Sequence, residues 1–125
     1  MELARQYGVH GFCFQYYWFA GHRLLERPLD LFIAQDDLDF PFCLCWANEN
    51  WTRRWDGMDD EVLFAQKHTP EGDAAFIHEI LPALRDRRYI RRNGKPVVIV
   101  YRADQLADAP ATAAAWREAA RAAGL

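Results

Sequence analysis

Apolar and polar positions along this 125-residue chain fall into segments that alternate between strand-like and helix-like patterns. Residues 2–7 read as the tail of a helix. Val9 to Phe19 (VHGFCFQYYWF) is an aromatic-rich run, as expected of a buried strand that leads into a loop. Leu24 to Gln35 (LLERPLDLFIAQ) carries apolar residues at 24, 25, 29, 32 and 33, which is helical spacing, and Pro28 sits early enough to be tolerated. Phe40 to Ala47 (FPFCLCWA) is a continuous apolar run of the kind found in strands covered on both faces. Asn48 to His68 has mixed polarity and no period, so it reads as a long loop. Thr69-Pro70 then supplies an N-cap with proline at the first helical position, and Phe76, Ile77, Ile80, Leu81 and Leu84 form one stripe. Pro82 is expected to kink that helix or end it. Asn93-Gly94 signals a turn. Pro96 to Tyr101 (PVVIVY) reads as a third buried strand, and Ala111 to Ala123 as an alanine-rich helix closed by Gly124.

The order is βαβαβα, which predicts an α/β fold with a parallel sheet. A full (β/α)8 TIM-type barrel needs about 250 residues. The chain opens inside a helical pattern and stops just after a helix. The expectation is therefore one partial domain over 1–125, about half of such a barrel.

Composition narrows the class. Hydrophobic residues make up 51% of the chain, charged residues 26%, and 18 side chains are aromatic. This excludes intrinsic disorder. No apolar run approaches the roughly 20 residues of a membrane span, and the first residues lack the basic-then-apolar pattern of a secretory signal. The net charge of −3 argues against a nucleic-acid binder. Cys13, Cys43 and Cys45 form no even framework and no zinc spacing, so they read as small apolar fillers in a reduced, cytoplasmic protein, with no cofactor or metal implied. Glycine loops for phosphates and the GxSxG and HExxH motifs are missing.

In parallel α/β folds ligands sit beyond the carboxyl ends of the strands. The three predicted ends are Tyr16-Tyr17-Trp18, Asn48-Glu49-Asn50 and Tyr101-Arg102, all aromatic or polar. The richest stretch runs from Trp46 to Asp56 and packs three tryptophans, two carboxylates, two arginines and two asparagines into eleven residues. Aromatic rings stack on the C–H faces of sugars, while amide, carboxylate and guanidinium groups bind the hydroxyl rim. Strand parity sets Phe42, Leu44 and Trp46 toward helices, and Cys43, Cys45, Ala47 and Glu49 toward the barrel interior. Tyr17, in parity with Cys13 and Gln15, faces in, and Tyr16 faces out.

Glycosidic-bond chemistry uses two carboxylates. Glu49 is the first candidate and Asp56 the second; the competing role for Glu49 is an ion pair with Arg53 or Arg54. The candidate sugar-binding set is Tyr17, Trp18, His22, Trp46, Asn48, Asn50, Trp51, Arg53, Arg54, Trp55, Tyr101 and Arg102. Within it, Trp46 also reads as helix packing, Trp51 and Trp55 as loop anchors, and Arg102 as a helix cap. His10 reads as a core histidine, His68 and His78 as structural or exposed, and Asp59, Asp60 and Glu61 as a solvated run.

Three segments carry a family resemblance: GFCFQYYWFAGHRLLERPLD, DFPFCLCWANENWTRRWDG and RRYIRRNGKPVVIVYR. They resemble the WbsX family, named as glycosyltransferases of polysaccharide gene clusters and also described as glycoside hydrolase family 99-like. The resemblance runs from Glu2 to Leu125. It implies a (β/α)8 barrel, of which this chain would be a piece, and, from the hydrolase relatives, action within mannose-containing glycans. At Tyr16 the family segment Y-Y-H-Y-W-F has histidine, so a substrate contact by that histidine would be lost or altered here.

The expected function is that of a carbohydrate-active enzyme, glycosyltransferase or glycoside hydrolase, with an oligosaccharide or a nucleotide sugar as its partner. The alternatives are a non-catalytic glycan-binding module and a truncated, inactive fragment.

Overall fold

The computed structural model describes residues 1–53 and 57–125, the side chains of 58–60 excepted. A short helix α1 (Glu2–Gln6) precedes strand β1 (Phe12–Phe19), which turns back through β2 (His22–Leu24). Helix α2 (Arg27–Ala34) leads to β3 (Phe42–Trp46). A hairpin of β4 (Trp51–Arg53) and β5 (Met58–Phe64) precedes helix α3 (Pro70–Leu84). A second hairpin, β6 (Arg91–Arg92) and β7 (Lys95–Pro96), leads to β8 (Val98–Val100) and helix α4 (Ala109–Ala122).

The main sheet has the order β2-β1-β3-β8. β1, β3 and β8 run parallel, with Cys13 opposite Cys43 and Cys45 opposite Ile99. The expected parallel sheet is therefore present, with α2 and α3 as its crossovers. Three details differ from the sequence reading. His22–Leu24 extends the sheet as an antiparallel strand, so the helix starts later, at Arg27. The long "loop" contains the β4–β5 hairpin, whose register shifts on both sides of Thr52 erase any period of two. The third strand is short and lies at an edge, with Ile99 exposed, so it is not the buried run that its apolar residues suggested.

The core lies on the helix side of the sheet. Phe42, Leu44 and Trp46 point there and are completely buried. Trp46 stacks on Phe76 of α3 with ring centroids 4.3 Å apart, and Phe42 packs edge-on to Phe32 of α2 at 5.2 Å. Each large apolar side chain buried in this way contributes about 1.5–3 kcal/mol. α3 begins as expected: the Thr69 side chain accepts a hydrogen bond from the Gly72 N–H, and the helix closes two residues after Pro82.

On the opposite face Cys13, Gln15 and Ile99 are exposed, while Cys43 and Cys45 are buried between the strands. Burial, and Cys13 beside it, push the Cys43 thiol up to about 11, so it stays protonated and behaves as a small apolar filler. His10, expected in the core, is exposed because pairing begins only at Phe12 opposite Phe42. Gly11 just before it is required: a Cβ there would lie 2.9 Å from the Pro41 carbonyl oxygen. Asn93 and Gly94 both have positive φ, as a two-residue hairpin turn demands. Among the described residues no helix is long and apolar enough to cross a membrane.

Candidate carbohydrate site

The three strand ends do converge. Gln15, Tyr17 and Phe19 from β1, Ala47, Glu49 and Asn50 beyond β3, Trp51 at the start of β4, and Tyr101 beyond β8 line a cleft of about 350 Å³. Alternation along β1 sends Tyr17 into the cleft. It turns Tyr16 and Trp18 to the helices, where both are buried against Phe76. Tyr16, where the resemblance implies a histidine, donates a hydrogen bond to Glu79 on α3 at 2.9 Å, and its phenol is pushed up by burial. That position faces the helices, away from the cleft. A larger hollow of about 500 Å³ opens between β1 and α2, but apart from Cys13 and Gln35 its walls are apolar, and it lies away from the strand ends.

Trp51 closes one wall of the cleft. Its ring stacks with Tyr17 at 5.5 Å and with Phe64 at 5.8 Å, and Phe64 meets Phe19 at 5.8 Å. These contacts pin the β4–β5 hairpin to β1, and Trp51 both anchors the hairpin and lines the cleft. Tyr101, 58% exposed, is the most exposed of the aromatic residues that line the cleft. Glu49 has a half-buried carboxylate, 31% exposed, with Arg102 Nη1 3.9 Å away. Arg102 is otherwise bound through a two-pronged contact to Asp104 at 3.0 and 2.8 Å, which lowers the Asp104 carboxyl below its usual range. Its charge is thus largely satisfied within the protein. Asn50 accepts from the Gln66 N–H at 2.8 Å.

Other predicted site residues lie elsewhere. Trp46 and Asn48 are completely buried and Trp18 nearly so, which leaves none of them surface for a ligand. Trp46 serves the core, donating its indole N–H to the Trp18 carbonyl at 3.2 Å. Asn48 joins two strand ends: its amide donates to the Arg102 carbonyl at 2.7 Å and accepts from the Arg102 N–H at 2.8 Å. His22 sits on the exposed β1–β2 hairpin, outside the cleft. Arg53 pairs with Glu61 at 3.0 Å, not with Glu49. Arg54, Trp55 and Asp56 lie outside the described residues.

Two features escaped the sequence reading. Gln15 lines the cleft, as its parity with Tyr17 allowed. Asp73, buried in the first turn of α3, has its carboxylate 2.6 Å from His68 Nδ1. A histidine just before a helix N-cap and an aspartate in the first turn were the available signal. Among the described residues no group of three His, Cys, Asp or Glu side chains is placed to hold a metal ion.

The family described as Glycosyltransferase WbsX matches residues 1–125. "Uncharacterized protein WxcX" of Xanthomonas campestris pv. campestris strain B100 is 46% identical over 116 residues, covering 93% of this chain. Its counterpart in strain ATCC 33913 shows the same identity over the same length. The chain spans 17% of the length of these curated relatives. No solved structure matches it. Matched from its first residue to its last, the chain belongs to the WbsX glycosyltransferase family.

Proposed function

We propose that the cleft binds a sugar ring and that the protein acts at a glycosidic bond, as a transferase or a hydrolase of polysaccharide metabolism. The observation that carries this reading is a half-buried carboxylate, Glu49, set at a strand end beside an exposed aromatic ring, Tyr101. Tyr101 offers its face to the apolar side of a sugar, and Gln15, Asn50 and Glu49 offer hydrogen bonds to hydroxyls. Glu49 is the candidate acid, base or nucleophile, and Asp56 the candidate second carboxylate. The sequential parallel order β1-β3-β8, with a helix after each strand, supports about half of a (β/α)8 barrel, with the cleft at its mouth.

Tryptophan fluorescence of the purified chain tests the reading, because Trp51 forms a wall of the cleft. Titration with mannose oligosaccharides should give a saturable change. A change with nucleotide sugars alone assigns the transferase, and no change with either class overturns the reading. Glu49→Gln should keep sugar binding and abolish turnover. Turnover that survives this substitution removes Glu49 from the chemistry.

A further inference from the structure

His68 stands between the β4–β5 hairpin and α3, and both ring nitrogens are engaged. Nε2 lies 2.8 Å from the main-chain carbonyl oxygen of Asn48. A carbonyl only accepts, so Nε2 carries a hydrogen and donates it. Nδ1 lies 2.6 Å from Asp73 Oδ1, a distance at which a hydrogen must lie between the two atoms. Asp73 is 1% exposed, and its other oxygen accepts from the Ala107 N–H at 3.0 Å, in the segment that leads into α4. The His68 ring meets Trp46 edge-on at 5.7 Å. Sheet, helix and loop therefore all fix the imidazole.

Asn48 is held at three atoms. Its carbonyl takes the His68 hydrogen, and its side chain exchanges two hydrogen bonds with the Arg102 backbone. Glu49 follows it directly, and the Arg102 guanidinium lies 3.9 Å from the Glu49 carboxylate. Apolar packing already ties α3 to β3 through Phe76 and Trp46. A buried polar network is costly, and what it adds is direction: one donor aimed at one backbone oxygen.

We propose that His68 and Asp73 are positioning residues for Glu49, holding the Asn48 carbonyl and so fixing the strand end from which the Glu49 carboxylate reaches the cleft. The proposal rests on the reading of that cleft as a sugar site.

The test uses the 125-residue chain with ¹⁵N relaxation and a mannose-oligosaccharide titration. In the wild type the His68 Nε2 hydrogen should exchange slowly, and the Glu49 amide should have an order parameter near 0.85, the value of about 0.85 typical of rigid backbone. His68→Phe keeps the ring against Trp46 but removes both hydrogen bonds. It should lower the Glu49 order parameter below about 0.6 and weaken sugar binding about tenfold. Asp73→Asn still accepts from Ala107 and can donate to Nδ1, which leaves the Nε2 donor in place. It should hold the order parameter and keep affinity within about threefold of the wild type. A folded His68→Phe variant with unchanged Glu49 order and affinity overturns the proposal, as does rapid exchange of the Nε2 hydrogen in the wild type. If His68→Phe does not fold, Asp73→Ala decides instead: it removes the partner of His68 Nδ1 and should lower the Glu49 order parameter, and a folded Asp73→Ala variant with unchanged Glu49 order overturns the proposal. If the wild type binds no sugar, the cleft reading falls, while the order parameters still decide whether the clamp exists.

Discussion

At the amino end of the sheet, Arg88 is almost entirely buried and spends its guanidinium on the protein itself. It donates to the carbonyls of Phe32, Ile33, Gln35 and Leu38, where α2 ends, and to both oxygens of Asp86. Its own carbonyl accepts from the Phe42 N–H, where β3 begins. At the carboxyl end, Asn48 performs a similar joining task between β3 and the residues beyond β8, but Glu49, Gln15 and Tyr101 beside it face an open cleft. Both ends contain buried polar clamps. At one end the clamp closes on the protein itself, and at the other, polar groups next to the clamp line a cleft. A strand end that closes its hydrogen bonds inward serves stability, whereas one that leaves polar groups open has them available to a partner.

The largest expected effect comes from breaking the closed end. Arg88→Ala leaves several α2 carbonyls and a carboxylate without their donor, and should cost about 3–5 kcal/mol in urea unfolding. A loss below about 1 kcal/mol, the range of exposed ion pairs, would show that the clamp is ornamental. The same clamp has a pH signature. Hydrogen bonding from Arg88 holds the Asp86 carboxyl below its usual range in the folded protein. Its contribution is therefore complete above the unfolded aspartate value of about 3.9 and is lost as the pH falls through the lower folded value. Wild-type stability should drop over that acidic window, and Arg88→Ala should lack that part of the drop.

Next in size is Trp46→Phe, which trims the ring stacked on Phe76 and should cost about 1–3 kcal/mol by opening a cavity. Because Trp46 is completely buried, sugar affinity should stay within about twofold, a change of under 1 kcal/mol. A selective loss of binding would return Trp46 to the cleft. The smallest effect on stability and the sharpest on function belong to Tyr101→Ala. With 58% of its surface exposed, the residue should alter unfolding by no more than about 0.5 kcal/mol. Sugar affinity should fall about tenfold, the loss of about 1–1.5 kcal/mol of ring contact. Equal binding by both proteins would remove Tyr101 as the platform.

Strand parity was legible because it is local: Tyr17 and Glu49 face the cleft, and Tyr16, Phe42, Leu44 and Trp46 face the helices, as alternation requires. The Thr69-Pro70 helix start was legible for the same reason. The β4–β5 hairpin was hidden, since a strand that reads MDDEVLF resembles a solvated run and its bulges break the period. Arg88 was hidden within a cationic stretch, RDRRYIRRNGK, where only the ending of α2 nearby in space singles out one arginine for burial. PVVIVY looked buried on apolarity alone, because sequence does not say which strand lies at an edge. The candidate sugar ligands Trp18, Trp46 and Asn48 had suitable chemistry but point to the core or join strand ends. Composition names the residues of a site, and parity with partners decides which of them face it.

The carboxyl end of the sheet should receive a sugar, and the amino end should not. The most direct test is ¹H–¹⁵N chemical-shift mapping of the chain during titration with a mannose oligosaccharide. Saturable shifts confined to Gln15, Tyr17, Glu49, Asn50 and Tyr101, with Arg88 and the end of α2 silent, are the predicted result. Saturable shifts along Phe12, Leu31 and Leu38 in the hollow beside α2, or none anywhere, would contradict it.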